Sequence, residues 1–260
     1  MPPSSAPLPP LSSDWALFLD IDGTLLELAD RPDAVRFDKP LRRLLKEIAT
    51  ATGGALALIS GRSVADIDAL LAPLALPVAG QHGIERRNAQ GRLERHVPTA
   101  QGLRSAALRI GGFASQRPGL LFEDKEHSLA LHFRQAPQFT AAVGEEMRAA
   151  LDTLGPEFTL QEGKMVCEIK HSGRNKGLAI AEFMAEAPFR GRTPVFIGDD
   201  LTDEHGFDVV NQFGGHSIKV GDGPSAAPWR LRDTAAVRNW LAALVEYLRH
   251  NAATTGGRPC

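Results

Sequence analysis

Residues 16 to 28 read ALFLDIDGTLLEL. An apolar run of strand length ends in Asp20, a second carboxylate follows at Asp22, and Gly23 and Thr24 break the strand before apolar residues resume. Two acids are thereby placed on a tight turn at the C-terminal end of a buried strand. In open α/β sheets ligands bind in the crevice outside the carboxyl ends of the strands, which makes this turn a candidate site. Taken alone, the same turn could merely cap a helix, so the other strand ends have to choose between the two readings.

Downstream the pattern repeats. Asp38-Lys39-Pro40 opens a helix in which Leu41, Leu44, Leu45 and Ile48 recur at helical spacing, and Gly53-Gly54 stops it. Residues 55–60, ALALIS, are a continuous apolar run suited to a parallel strand covered on both faces, and the run ends in Ser60-Gly61-Arg62. A helix over Val64 to Leu71 closes at Pro73, a short strand near Pro77 to Ala79 leads into GQHGIERR (80–87), and residues 88–96 read as a hairpin or loop. The order β-α-β-α-β opens a doubly wound sheet with right-handed crossovers. It resumes after His171: Arg174-Asn175-Lys176-Gly177 opens a helix, TPVFIG runs into GDDLTDE (198–204), HSIKVGDG supplies a strand and turn, and a last helix is expected over Asp233 to His250.

Between the two halves the period changes. A weak helix from Gln101 to about Gln116, strands at Leu120 to Glu123 and Ser128 to Arg134, a helix carrying Phe139, Val143, Met147, Leu151 and Leu154 as one stripe, and strands at Phe158 to Gln161 and Lys164 to Lys170 joined at Glu162-Gly163 make an αββαββ unit. Strand alternation puts Leu129, Leu131, Phe133, Met165, Cys167 and Ile169 on one face, packed on the helices. The opposite face carries Glu123, His132, Arg134, Lys164 and Glu168, which could be simple solvation, but a unit inserted between halves of a core has something to face. The predicted organisation is a disordered leader (1–13), a doubly wound parallel-sheet α/β core (14–98 and 171–250), an inserted α+β cap (99–170) and a flexible tail (251–260).

Composition narrows the partners. A net charge of -2 without a long charged block argues against nucleic acid and anionic membrane, and no run approaches the roughly 18 apolar residues of a membrane span. The expected partner is a small molecule. Cys167 and Cys260 are far apart and lack zinc-ligand spacing, and the proline-rich N-terminus has no basic region or apolar helix of a signal peptide. A cytoplasmic monomer is expected.

The strand and helix ends present Asp20 with Asp22, Ser60, Lys176 and Asp199 with Asp200, and in a doubly wound sheet these edges converge. The combination suits phosphoryl transfer. A carboxylate can attack phosphorus and form an aspartyl phosphate, yet clustered carboxylates repel a phosphate, so a hard divalent cation is required. Mg²⁺ takes oxygen ligands, which Asp20 and Asp199 offer. Lys176 would neutralise nucleophile and phosphoryl group, the Ser60 hydroxyl would hold phosphoryl oxygens, and Asp22 is left for acid–base work. Asp200 and Asp203 remain open between metal ligation and support, and GDDLTDE could also be a helix-capping box at Thr202.

In this order the motifs resemble the haloacid dehalogenase (HAD) superfamily: DIDGT, Ser60, Lys176 and GDD stand for its four motifs, and the αββαββ unit is similar to its C2-type cap. That resemblance implies that Asp20 is the nucleophile and Asp22 the general acid/base, with Mg²⁺ also taking the Asp22 backbone carbonyl. Within the superfamily SGR, GQHGIERR, EDK, SLALHFR, EGKMVCEIK, NKG and GDDLTDE resemble the trehalose-6-phosphate phosphatases. This implies that Glu123, Lys125 and Glu168 grip sugar hydroxyls and that Arg62 and His82 lie near the site. A phosphatase for sucrose phosphate or mannosyl phosphoglycerate, a hexose-phosphate mutase, or a non-catalytic sugar-phosphate sensor would share much of this pattern.

Overall fold

The computed structural model describes residues 8–28, 37–96 and 102–255, with side chains to Asn251. The chain forms two compact units, Met1–Glu94 with Lys176–Cys260, and Arg95–Asn175. The loop expected after the first strand lies largely outside the described residues, as do residues 1–7 of the expected leader. The rest of that leader corrects the expectation of disorder. Leu8 and Leu11 pack against the core, because an apolar side chain gains by leaving water even in a proline-rich segment.

In the first unit β1 (Trp15–Leu19) is followed by α1 (Lys39–Ala51), β2 (Leu56–Ile59), α2 (Val64–Leu71), β3 (Val78–Gly80), β4 (Glu85–Arg87) and β5 (Leu93–Arg95). Helix α1 starts where expected, with Asp38 accepting from the Leu41 N–H at 2.7 Å and Pro40 in the first turn. Residues 88–96, open between hairpin and loop, turn back after β4 and form β5, two strands that extend the sheet edge.

The second unit runs α3 (Leu103–Ser115), β6 (Leu121–Asp124), β7 (Leu129–His132), α4 (Thr140–Leu151), β8 (Phe158–Gly163) and β9 (Val166–His171), an αββαββ order with an antiparallel sheet β6-β7-β9-β8. Leu129 faces Ile169 and Leu131 faces Cys167, so the apolar row reads as alternation predicted and packs on α3 and α4. One detail differs. The β8–β9 hairpin turns at Lys164-Met165, not at Glu162-Gly163, and Met165 takes the left-handed conformation (φ 64°). The glycine signal lost because pairing through Gly163 keeps Cys167 and Ile169 in the dry face.

The chain returns to the first unit with α5 (Lys176–Met184), β10 (Thr193–Gly198), α6 (Glu204–Gln212), β11 (His216–Val220), β12 (Trp229–Leu231) and α7 (Thr234–Thr255). Helix α7 continues past the expected end at His250, since Asn251 to Thr255 contain no breaker. The sheet order is β12-β11-β10-β1-β2-β3-β4-β5, parallel from β12 to β3 and antiparallel at β3–β4. Alternate residues of the central strands enter opposite cores. Leu17, Leu19, Leu58 and Ile197 join α1, α2 and α7 residues, whereas Phe18, Ala57, Ile59 and Phe196 join α5 and α6 residues. This is a doubly wound sheet whose connections run outward in both directions from β1 and β10. That adjacent pair is the topological switch point, where a crevice opens at the strand ends.

Candidate active site

Asp20 and Asp199 are the residues that follow β1 and β10, and both are buried. The turn between Asp20 and Thr24 is compact because Gly23 (φ 85°) lets the backbone reverse, with its N–H donating to Leu26 at 2.7 Å. A side chain at Gly23 would strike the Asp199 carboxylate, so the bare Cα is what lets the two strand ends close on each other.

Lys176, only 3% exposed at the start of α5, reaches into this crevice. Its Nζ lies 2.7 Å from Asp20 and 2.5 Å from Asp203. Asp203 is fully buried and accepts the Asp199 and Asp200 N–H groups, each at 2.9 Å, so it sets the turn after β10 as well as the lysine. The rival reading of a capping box is therefore met, but between Asp200 and Asp203, not at Thr202. Asp203 went unassigned in the sequence because GDDLTDE offers interchangeable acids; packing against Gly198, where a Cβ would collide with it, distinguishes them.

The acids outnumber the lysine. Carboxylate oxygens of Asp20, Asp199 and Asp203 lie within 4.8 Å of one another. Burial, together with the charges of Asp203 and Asp199, raises the Asp20 carboxyl well above its usual range against the opposing pull of Lys176. Burial works against the Lys176 charge too, but Asp20 and Asp203 outweigh it and hold the ammonium protonated. A second buried cation, Lys219 of β11, donates to the Asp199 carbonyl. Its signal in the sequence was a lysine inside the apolar strand HSIKV. An acid-rich, buried oxygen set of this kind fits a hard divalent cation. The Asp22 carboxylate lies outside that cluster.

The ends of β2 and β3 form the other wall. Ser60 is buried; its Oγ accepts from the Arg62 N–H at 3.1 Å, and its carbonyl accepts from the His82 N–H at 3.0 Å. The Arg62 carbonyl accepts from the Gln81 N–H at 2.8 Å. Gln81 and His82 both take positive φ (47° and 56°), a conformation that costs non-glycine residues about 1–2 kcal/mol each and is held here by these bonds. The His82 ring rests on Gly61, where a Cβ would press on it. The Arg62 guanidinium grips Asp22 through Nε to Oδ2 at 2.6 Å and Nη2 to Oδ1 at 2.7 Å. The rest of GQHGIERR is structural: Glu85 caps α2 at the Val64 N–H (2.8 Å), and Arg86 is ion-paired with Glu94, Glu182 and Glu186.

In the second unit Glu123, Lys125 and Glu168 are on one cluster. Glu168 accepts from Lys125 at 3.1 Å and from the Ser128 hydroxyl at 2.8 Å, and Glu123 lies 3.0 Å from His132 Nε2. Burial opposes the Glu123 charge, but His132 and Lys125 keep its carboxyl below the ordinary range. Ser128 was missed, since a serine beginning a strand carries no signal of its own.

Fold and site together define an α/β protein of haloacid dehalogenase type, with acids, a serine and a lysine gathered at the switch point. A haloacid dehalogenase-like hydrolase from B. subtilis shares this fold, with a TM-score of 0.61 at 13% identity over 87% of this chain and 99% of that one. The chain belongs to the trehalose-phosphatase family, whose profile matches residues 18–235. It is 46% identical over 242 residues to trehalose-6-phosphate phosphatase from Escherichia coli (strain K12), covering 93% of this chain and 90% of that one. The C-terminal domain of C. albicans trehalose-6-phosphate phosphatase has the same fold, with a TM-score of 0.80 at 19% identity over 90% of this chain and 93% of that one.

Proposed function

We propose that this chain is a Mg²⁺-dependent phosphatase that hydrolyses trehalose 6-phosphate to trehalose and phosphate, with the first unit as catalytic core and the second as a sugar-recognising cap. The observation that carries the reaction is the buried Lys176 bonded to Asp20, with Asp199 beside them. Asp20 attacks phosphorus and forms an acyl phosphate while the bond from phosphorus to the sugar oxygen breaks. Asp22 gives a proton to the departing alkoxide, then takes one from the water that cleaves the acyl phosphate, so the proton count closes over the cycle. Lys176 and the Ser60 hydroxyl hold phosphoryl oxygens, and Arg62 and His82 lie on the phosphate side. Asp20, Asp199 and the Asp22 carbonyl would hold Mg²⁺, which offsets the negative charge that builds on the phosphoryl group.

Glu123, Lys125 and Glu168 take the sugar hydroxyls. Charged groups form hydrogen bonds of roughly 1.5–3 kcal/mol each, enough for two or three to separate one phosphomonoester from another. Among the described residues no helix is long and apolar enough to cross a membrane, and Cys167 is a buried free thiol.

The test is phosphate release from trehalose 6-phosphate, lost in EDTA and restored by Mg²⁺, beside sucrose phosphate and mannosyl phosphoglycerate. Preferred turnover of either competitor would reassign the substrate. Absence of release from all of them would make the chain a sensor.

A further inference from the structure

We infer that Arg62 is the positioning residue of the proton carrier, aiming the Asp22 carboxylate at the leaving-group oxygen; this rests on the phosphatase reading above. The two side chains come from different strand ends and meet fork to fork, one guanidinium nitrogen on each carboxylate oxygen at 2.6 and 2.7 Å. Two parallel bonds fix the plane of a carboxylate, where a single bond would leave it free to rotate. Both backbones are pinned as well. The Arg62 N–H donates to Ser60 Oγ and its carbonyl accepts from Gln81, and Asp22 sits in the turn closed by the bonds from Gly23 to Leu26 and from Leu25 to Ile21. Asp22 keeps 31% of its side chain exposed against 15% for Arg62, so the acid faces the crevice and the arginine backs it.

When one Asp22 oxygen carries a proton, its bond to the guanidinium opens and the bond on the other oxygen keeps the group aimed. In the first half-reaction the protonated oxygen of Asp22 gives its hydrogen to the ester oxygen as the phosphorus–oxygen bond breaks and its electron pair stays with that oxygen, yielding neutral alcohol. The carboxylate returns to the two-point grip until water attacking the acyl phosphate supplies the next proton. Arg62 is thus assigned a task beyond contact with the substrate phosphate.

The leaving group reports on this task, because a good one departs as an anion and a poor one needs the proton. Single-turnover release is measured for aryl phosphates of rising phenol pKa and for a simple alkyl phosphate without a sugar. With Arg62→Ala every ester loses whatever the phosphate contact contributes, and the alkyl phosphate loses about 10- to 100-fold more than the p-nitrophenyl ester does; Arg62→Lys, which keeps the charge but not the fork, gives a smaller difference. An equal factor across the whole series would overturn the proposal and leave Arg62 as a phosphate contact alone. Arg62→Lys carries the same comparison if Arg62→Ala does not fold, a point checked by near-UV circular dichroism. Asp22→Asn is the control: a flat loss there sinks the reading of Asp22 as proton donor, whatever Arg62 does.

Discussion

Lys176 sits between two buried carboxylates, and removing its charge leaves both uncompensated. Breaking a buried pair in this way costs about 3–5 kcal/mol, so Lys176→Met lowers the urea midpoint without changing the slope and also abolishes turnover. Without divalent cation the deficit is greatest at neutral pH. It shrinks on acidification, because an Asp20 carboxyl already raised by burial takes up a proton and ends the repulsion. A deficit that grows with acid would contradict this account. Asp20→Asn, by contrast, keeps the fold and loses turnover by more than about 10³-fold, read as phosphate release. Asp20, Ser60, Lys176 and Asp199 were legible as polar residues ending or opening apolar elements. The partner of each was not, because Asp203 and Arg62 acquire their roles through distances that no spacing encodes.

At the scale of elements, continuous apolar runs announced β1, β2 and β10, and helical periodicity announced α1 and α2 over nearly their observed spans. The short strands β5 and β12 were not legible, since their three residues, LER and WRL, form no continuous apolar run of the kind that marks a buried strand. Where β11 and β12 begin, His216 packs edge-on against Trp15 and Trp229 with ring centroids 5.6 and 4.9 Å away. Burial holds its imidazole below the ordinary histidine range. The unfolded chain therefore binds more protons between that lowered value and about pH 6.5, so stability present above pH 6.5 is lost as the pH falls. His216→Phe, which preserves the aromatic packing, makes thermal unfolding less sensitive to acid than in the parent chain; identical pH profiles would remove His216 as the cause.

At the scale of the molecule, the proposed function assigns reaction and selectivity to different units. Glu168→Ala is expected to reduce turnover of trehalose 6-phosphate by 10-fold or more, about the worth of one charged hydrogen bond, and to spare an aryl phosphate that has no hydroxyls to hold. Equal losses on both substrates would take sugar recognition away from Glu168. Mg²⁺ at about 100 times its dissociation constant stabilises the folded chain by about 2.7 kcal/mol, a rise of several degrees in melting temperature that Asp199→Asn abolishes. A rise that survives that substitution would place the cation elsewhere.

By itself the sequence determined the doubly wound core, the inserted αββαββ unit and the positions of the acids, serine and lysine to which the proposed phosphoryl chemistry is assigned. It could do so because parallel strands covered on both faces must be apolar throughout, so any polar residue that ends one is conspicuous. Only the tertiary structure decided that Asp203 holds Lys176, that Arg62 holds Asp22, and that Ser128 and His132 hold Glu168 and Glu123. Those pairings join residues from separate strands and helices. Their strength falls off within an ångström or two, a length that only the packed chain defines.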